Sequence, residues 1–454
     1  MATAAQDQTD TIWGHPKGLY YLAFTELWER FSYYGMTALL TLYMTKQLLL
    51  SGHAEDVAGL GMLRHLFEFR GPMTNLAFAS LIYGWYSGLV YFTPILGGWI
   101  ADRLLGKKRT VMLGAILMSA GHLAMSFDRT FLFALLLLIL GSGCLKGNIS
   151  AQVGTLYPRS AVSLRDRGFA IFSTGINIGA ASGPLVAGTI AAIYGWHAGF
   201  ALAAALMLVA LAVYLAGQRH LPQTPPQIQQ QHSATPLTGE ERRQVWALLA
   251  LVLLVIPAEI AYPMIWSIGI VWVDQQINLG TPFGTMPATW FNSLDSIGSI
   301  LAAAPLLALW ARQARKQREP HSLSKIAIGT ALVGLSALVM AVGSIGASGP
   351  GSIPLIWALA GFLSMGLAWM YYWPTSLALV SRTAAHKINS TMLGAMFLCP
   401  FVGHTMAGWV GSYYDQMSPA QFWTMDAGIA LAGAAVLFAL RRPLNTILQP
   451  ADNN

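Results

Sequence analysis

The feature that most constrains this sequence is a succession of twelve apolar runs, each long enough to form a helix across a lipid bilayer. Charged residues or clusters of glycine and proline separate the runs. A spanning helix needs about 20 apolar residues, and it satisfies its backbone hydrogen bonds internally because the bilayer core holds no water. The predicted helices are residues 19–45, 75–101, 109–127, 130–156, 168–191, 197–216, 245–274, 288–311, 325–345, 352–381, 388–412 and 420–440.

The composition agrees with a membrane protein and excludes the main soluble classes. Hydrophobic residues make up 55% of the 454 residues, charged residues make up 10%, and the mean hydropathy is +0.52. A soluble surface carries about 25–35% charged residues, so a soluble enzyme, a nucleic-acid binder and a disordered chain are excluded. Both cysteines, Cys144 and Cys399, lie in apolar runs, so no disulfide framework is expected. We expect an all-α integral membrane protein.

One polar segment interrupts the apolar pattern halfway along the chain. Residues 217–243 are rich in proline and glutamine, which predicts a flexible linker between two six-helix halves. Two six-helix bundles joined by a central loop are typical of the major facilitator fold. The predicted domains are a cytoplasmic tail (1–18), an N-terminal bundle (19–216), the cytoplasmic linker, a C-terminal bundle (244–441) and a cytoplasmic tail (442–454).

The basic residues favour one orientation in the membrane. If the N-terminus faces the cytoplasm, the outer segments hold four Lys and Arg residues, and two more, Arg30 and Lys146, lie inside predicted helices. The cytoplasmic segments then hold the other 20 of the 26. Cytoplasmic loops of membrane proteins carry such an excess of positive charge. We therefore expect a multi-pass protein of the plasma (inner) membrane with both termini in the cytoplasm.

The first predicted helix contains charged residues that a spanning helix normally lacks. In ELWERFSYYG, Glu26, Glu29, Arg30, Tyr33 and Tyr34 follow the spacing that places side chains on one helical face. Each ionisable residue costs roughly 2.5–3.5 kcal/mol at the bilayer centre, which makes function the default explanation. Two carboxylates share one guanidinium, so one acid lacks a partner and is expected to take up a proton near neutral pH.

A second cation, Lys146, lies inside the fourth predicted helix, in GSGCLKGNIS. Arg30 stays charged and can bind a carboxylate through two parallel hydrogen bonds. The alternative is a structural ion-pair cluster, with Lys146 extending to the cytoplasmic interface. For the lysine alone the two interpretations are balanced, whereas three charges and two tyrosines on one face favour function.

The segment ELWERFSYYG resembles the ExxERFxYYG signature of the proton-coupled oligopeptide transporter (POT) family, a branch of the major facilitators. Residues 93–110 resemble the loop between the family's helices 2 and 3, and GSGCLKGNIS resembles its helix 4 lysine segment. FAIFSTGINIG resembles the helix 5 pattern FxxFYxxINxG. The C-terminal half matches more loosely, and the resemblance extends from residue 19 to about residue 400.

This resemblance implies a symporter that imports di- and tripeptides with protons by alternating access. Glu26 and Glu29 then correspond to proton-site carboxylates, and Arg30 and Lys146 to cations that bind the peptide carboxylate. The residues that correspond to positions lining the peptide site are Tyr34, Tyr91 and Asn177. Protonation of a helix 1 glutamate would weaken its hold on Arg30 or Lys146 and so couple proton to substrate.

The C-terminal half departs from the family pattern at two acidic positions. Trp369 stands where the family usually has a helix 10 glutamate, and Asp295 stands where it has a helix 8 asparagine. We expect Trp369 to line the substrate site and Asp295 to pair with the peptide ammonium; the alternative is that Asp295 pairs with a polar neighbour such as Asn292. The family's outer gate pair is also absent; Glu259 either supplies an acid one turn before Pro263 or pairs locally.

Two other functions are weighed against the peptide symporter. One is a proton-coupled transporter of the same fold for another small carboxylate-bearing substrate, which the loss of the helix 10 acid favours. The other is a membrane-embedded enzyme or receptor. The sequence contains no HExxH zinc motif, no GxSxG elbow and no P-loop that would support an enzyme. We expect a monomer in the lipid bilayer that binds protons and peptides, with no cofactor, no metal and no nucleic acid.

Overall fold

The structure is a computed structural model, and it is almost entirely helical over the residues that it describes. These are residues 11–158, 160–222, 237–282, 284–385 and 388–448. Most of the predicted linker, residues 223–236, lies outside the described residues, as do residues 1–10 and 449–454 of the predicted tails.

Fifteen α-helices occur in the described part of the chain, together with two short hairpins. The hairpins are β1 (Thr11–Ile12) with β2 (His15–Pro16) and β3 (Gly280–Thr281) with β4 (Gly284–Thr285), both antiparallel. The helices are α1 (Lys17–Tyr43), α2 (Leu60–Phe67), α3 (Asn75–Ile100), α4 (Gly106–Ala124), α5 (Phe131–Thr155), α6 (Val162–Tyr194), α7 (Trp196–Gly217), α8 (Gly239–Ala261), α9 (Ile268–Gln276), α10 (Phe291–Arg315), α11 (Ser322–Gly343), α12 (Leu355–Thr383), α13 (Asn389–Met396), α14 (Leu398–Gly411) and α15 (Pro419–Leu448).

The predicted apolar runs are helical, but two of them are broken. The run predicted at residues 245–274 begins within α8, continues as a 3₁₀ turn over Tyr262–Trp266 and becomes α-helical again as α9, after Ser267. The run at residues 388–412 breaks at Phe397, between α13 and α14. Proline explains both breaks, because Pro263 and Pro400 lack a backbone N–H and their rings crowd the preceding turn.

Among the described helical segments, nine are long and apolar enough to cross a membrane. The helices α1, α3 and α4 fall outside these nine. Charge lowers the apolar character of two of them, because α1 carries Glu26, Glu29 and Arg30 and α4 begins at a basic run. Length and composition thus identify a helical, multi-pass membrane protein, as predicted.

The chain forms two compact units. Unit 1 comprises Met1–Met36 and Thr93–Gln230, and unit 2 comprises Thr37–Phe92 and Gln231–Asn454. The boundary between them runs through α1 and between Phe92 and Thr93 of α3.

Glycine allows the helices of unit 1 to approach one another closely. Gly175 and Gly183 of α6 face backbone carbonyls of α1, and a Cβ at Gly175 would lie 2.8 Å from the carbonyl oxygen of Ala23. Gly114 of α4 packs against α5 in the same way, because a Cβ added at Gly114 would lie 2.7 Å from the carbonyl oxygen of Gly141. Small residues at fixed spacing permit this backbone contact within membranes, where the lipid gives no hydrophobic drive for helix association.

Unit 2 holds residues 37–92 against its C-terminal helices by close backbone contact. A Cβ at Gly84 of α3 would lie 2.6 Å from the Cα of Gly408 in α14. Lys46 also donates to Asp274 over 2.6 Å, but the lysine side chain is 47% exposed. An exposed ion pair contributes only about 0–1 kcal/mol. Gly84 therefore permits the close approach of α3 to α14, and the exposed ion pair adds little to it.

Candidate functional site

The charged residues of α1 form one buried cluster inside unit 1. The Arg30 Nε atom lies 3.2 Å from Glu26 Oε1 and also pairs with the Glu29 carboxylate. The three side chains are almost fully buried, and Glu29 has no exposed surface. A single guanidinium thus lies between two carboxylates, and Glu26 is on the same helix face as both Glu29 and Arg30 because these residues follow it by three and four positions.

Lys146 of α5 supplies a second cation beside this cluster. Its Nζ atom lies 4.5 Å from the centre of the Tyr33 ring, and the Arg30 guanidinium carbon lies 5.4 Å from the same ring. Lys146 also interacts electrostatically with Glu26 and Glu29. The two carboxylates and the two cations therefore balance each other's charge. The Tyr33 ring stabilises both cations through its electron-rich face.

The other predicted residues of unit 1 are less buried than the cluster. The Tyr34 ring packs edge-on against Tyr33, with ring centres 5.2 Å apart, and Tyr34 is half-buried. Asn177 is exposed on α6, between Gly175 and Gly179, the glycines that contact α1. Glycine packing thus fixes the position of the helix segment that carries Asn177.

Asp295 of α10 is a buried acid inside unit 2. Its Oδ2 atom accepts a 2.7 Å hydrogen bond from the Tyr262 hydroxyl, while Oδ1 has no hydrogen-bond partner among the described residues. The Trp266 side chain also interacts with this carboxylate, so the neighbours of Asp295 are Tyr262 and Trp266 and not Asn292, whose side-chain atoms hydrogen-bond to none of the described groups. One carboxylate oxygen is held in place, and the other can accept a further donor.

Tyr91 and Trp369 are half-buried residues of unit 2. The Tyr91 ring of α3 packs edge-on against His404, with ring centres 5.0 Å apart. Trp369 lies one turn after Gly366 of α12. A Cβ at Gly366 would lie 2.6 Å from the amide nitrogen of Ser299, so α12 contacts the backbone of α10 near Asp295.

A comparison with known families shows to which family this chain belongs. A sequence model of the POT family matches residues 108–235 and 228–424, more than half of the chain. The chain belongs to the POT family. This family consists of transporters, so the expectation of a transporter and not an enzyme is confirmed.

Curated relatives match the POT chain over nearly its whole length. A di-/tripeptide transporter of Lactococcus lactis subsp. cremoris is 28% identical, and the match covers 96% of this chain and 97% of the relative. The peptide transporter YePEPT of Yersinia enterocolitica is 26% identical, with 96% of both chains covered.

Solved structures confirm the major facilitator fold of this POT protein. A mutant of the peptide transporter POT in complex with alafosfalin matches with a TM-score of 0.83 and 26% identity, covering 97% of each chain. A POT family transporter in complex with 5-aminolevulinic acid matches with a TM-score of 0.81. At 22% identity, with 96% and 98% of the chains covered, this second match shows the fold alone.

Sequence reasoning missed one residue, Tyr262, and one contact, that of Tyr33, which organise these clusters of the POT chain. The helical spacing predicts Tyr33 on the charged face, but its contact with both cations depends on how α5 packs beside α1. Tyr262 lies in the 3₁₀ turn after α8, and its bond to Asp295 joins residues that are 33 positions apart. The POT signature in α1 gave a signal for Tyr33, whereas no local pattern indicates the partner of Asp295.

Proposed function

We propose that this POT family member imports di- and tripeptides together with protons by alternating access. The names of its curated relatives support peptides as substrates. The observation that carries the proposal is the buried cluster of Glu26, Glu29 and Arg30, with Lys146 beside it. Such charges are costly within a membrane, and unit 1 places them where they interact with one another.

Proton and peptide are coupled in this proposal because they compete for the same cations. The peptide carboxylate binds Arg30 and Lys146, which otherwise interact with Glu26 and Glu29. A proton on one glutamate removes its attraction for the cations and so favours binding of the peptide carboxylate. Release of the proton restores the internal pairs and favours release of the peptide.

Asp295 is the proposed partner of the peptide ammonium. Its buried Oδ1 has no hydrogen-bond partner in the described structure, and Tyr262 fixes the orientation of the carboxylate through Oδ2. An ammonium group would offer the missing donor. The proposed lining of the peptide site is completed by Tyr34, Tyr91, Asn177 and Trp369.

The proposed transporter is a monomer in the plasma (inner) membrane, in contact with the lipid bilayer and with both termini in the cytoplasm. The excess of Lys and Arg in the predicted cytoplasmic segments supports this orientation. The proposed moving bodies are the bundles of residues 19–216 and 244–441, joined by the linker at residues 217–243.

Uptake of labelled dialanine into proteoliposomes tests the proposed function. We expect accumulation that depends on an inside-alkaline pH gradient and that unlabelled trialanine competes away. A gradient of one pH unit is worth about 1.4 kcal/mol per proton, which supports roughly tenfold accumulation. Dissipation of the gradient with a protonophore is the control. Absence of uptake by folded protein would contradict the peptide assignment.

A second candidate is proton-coupled transport of another small carboxylate-bearing substrate. The presence of Trp369 in place of the family's helix 10 acid favours it, because one partner for an ammonium is lost. Arg30 and Lys146 still provide cations for a carboxylate in this case. Gradient-dependent uptake of a simple carboxylate, without competition by dialanine or trialanine, would favour this candidate over peptides.

We expect Asp295→Asn to weaken binding of peptides with a free N-terminus by about 10- to 100-fold, since a hydrogen bond to a charged group contributes about 1.5–3 kcal/mol. N-acetylated dialanine lacks the ammonium, so its weaker baseline binding is expected to change little. The measurement is competition against labelled dialanine by both compounds. Asp274→Asn, which removes the partly exposed partner of Lys46, is the matched control. Equal losses for both compounds would remove Asp295 from ammonium recognition.

A further inference from the structure

The short helix α2 carries large apolar side chains on an exposed face. It lies in the segment between α1 and α3, and its residues Met62 and Leu66 are 84% and 67% exposed. Phe69 follows in the 3₁₀ turn after the helix and is 66% exposed. The spacings of four and three residues place all three side chains on one side of the helix. Exposed apolar residues that occur singly need no explanation, whereas a row of three on one short helix marks an interaction surface.

The opposite face of α2 packs against other helices of unit 2. Leu60 and Phe67 are buried there. The Phe67 ring contacts Phe78 of α3 and Trp409 of α14, with ring centres 6.2 Å apart in both cases. Packing inside the protein thus uses one apolar face of α2, and the exposed apolar face points the other way.

Hydrogen bonds from Arg64 fix the direction in which the exposed face points. Its Nη1 atom donates to Asn75 Oδ1 over 3.1 Å, and its Nη2 atom donates to the Met73 carbonyl oxygen over 2.9 Å. Asn75 is the first residue of α3, and its Nδ2 atom donates over 2.7 Å to the carbonyl oxygen of Leu49, shortly after α1. These bonds hold α2 at the junction of α1 and α3, and rotation of α2 about its axis would break them.

The contacts of α2 with Trp409 place it at the membrane boundary. Trp409 belongs to the segment Thr391–Gln416, which is long and apolar enough to cross a membrane, and it lies roughly two turns before the end of that segment. Phe67 packs against this tryptophan, and the Phe69 ring centre lies 6.3 Å from it. Tryptophan is enriched where membrane helices reach the interface with water. The exposed face of α2 is therefore continuous with the lipid-facing surface of the spanning helices.

We propose that α2 lies in the interface of the lipid bilayer, with Met62, Leu66 and Phe69 inserted into the lipid. Interfacial helices bury their apolar face about 5–10 Å into the boundary between headgroups and acyl chains. Lipid fits this face better than a second copy of the chain, because three side chains fall well short of the roughly 800 Å² that each partner buries in a stable protein interface. The contact holds the junction of α1 and α3 at a fixed depth. In the orientation proposed above, the lipid belongs to the outer leaflet.

Fluorescence of single labels on α2 tests this contact in proteoliposomes. Met62→Cys and Leu66→Cys are each labelled with the polarity-sensitive fluorophore NBD, and the wild type, whose Cys144 and Cys399 are buried, gives the background. We expect blue-shifted emission that brominated lipid quenches strongly and that iodide, present on both sides of the membrane, quenches weakly. Size-exclusion chromatography of each labelled variant establishes that it is folded. The readout requires no transport, so it is independent of dialanine uptake.

Gly61→Cys is the matched control on the same helix. Gly61 lies about 100° from Met62 and about 140° from Leu66 around the helix axis, and a Cβ added there meets no described atom within 4 Å. Its label is expected to be quenched more strongly by iodide and less strongly by brominated lipid than the other two labels. Equal iodide quenching at all three positions would overturn the lipid contact. Protection of Met62 and Leu66 labels from both quenchers, lost when the protein is diluted with lipid, would also overturn it and assign the face to a second copy of the chain.

Discussion

Glu29→Gln is expected to abolish gradient-driven uptake of dialanine while exchange of peptide across the membrane partly persists. Glu29 is completely buried and pairs with Arg30, the cation proposed to bind the peptide carboxylate. Glutamine keeps the size of the side chain but carries no charge and binds no proton in this pH range. The peptide then binds Arg30 without a proton event, so proton movement no longer drives peptide movement.

The measured quantity is the accumulation ratio of dialanine at a fixed pH gradient. A carrier coupled to one proton reaches roughly tenfold accumulation per pH unit, whereas an uncoupled carrier reaches a ratio of about one. Counterflow with peptide on both sides and no gradient measures exchange separately. Full accumulation by Glu29→Gln would assign the coupling proton to another group.

Glu68→Gln is the matched control for this variant. Like Glu29, Glu68 pairs with an arginine, because Arg64 Nε lies 2.9 Å from its Oε1, but these two residues are four positions apart and lie outside the membrane-spanning helices. The hydrogen bond from Arg64 keeps the pKa of Glu68 below its usual range. This carboxylate therefore stays ionised near neutral pH and carries no proton, so its replacement is expected to leave accumulation unchanged.

The α1 cluster could be predicted from the sequence because its geometry is local. Residues three and four positions apart share a helix face, so Glu26 had to lie beside both Glu29 and Arg30 if the segment was helical. The helices could be predicted from the apolar runs for the same reason, since the bilayer requires each spanning segment to satisfy its backbone hydrogen bonds internally.

Contacts between distant segments could not be predicted in this way. The bond from Tyr262 to Asp295 and the pair of Glu259 with His404 depend on which helices pack together. The breaks at Ser267 and Phe397 had visible causes in nearby prolines, but proline is also tolerated inside α3, α6 and α10. Tertiary packing decides which proline breaks a helix, and a single sequence does not contain that information.

Lys146→Ala is expected to weaken peptide binding by about 10- to 100-fold and to abolish driven uptake at peptide concentrations near the wild-type KM, because a charged hydrogen bond contributes about 1.5–3 kcal/mol. The variant leaves Glu26 and Glu29 with Arg30 alone. Arg30 is then held more firmly by the two carboxylates, so both cations proposed to bind the peptide are affected. Unlike Glu29→Gln, this variant is expected to lose exchange as well.

Lys325→Ala separates this effect from the general loss of a lysine that packs on an aromatic ring. The Lys325 Nζ atom lies 3.9 Å from the centre of the Trp310 ring and pairs with Glu319, so it resembles Lys146 in having an aromatic ring and an acidic partner. Its location at the start of α11 gives it no proposed part in peptide binding. Competition by unlabelled dialanine, measured in both variants, should shift only for Lys146→Ala. Unchanged binding in Lys146→Ala would assign this lysine to the structural ion-pair cluster and leave Arg30 as the cation that must bind the peptide carboxylate.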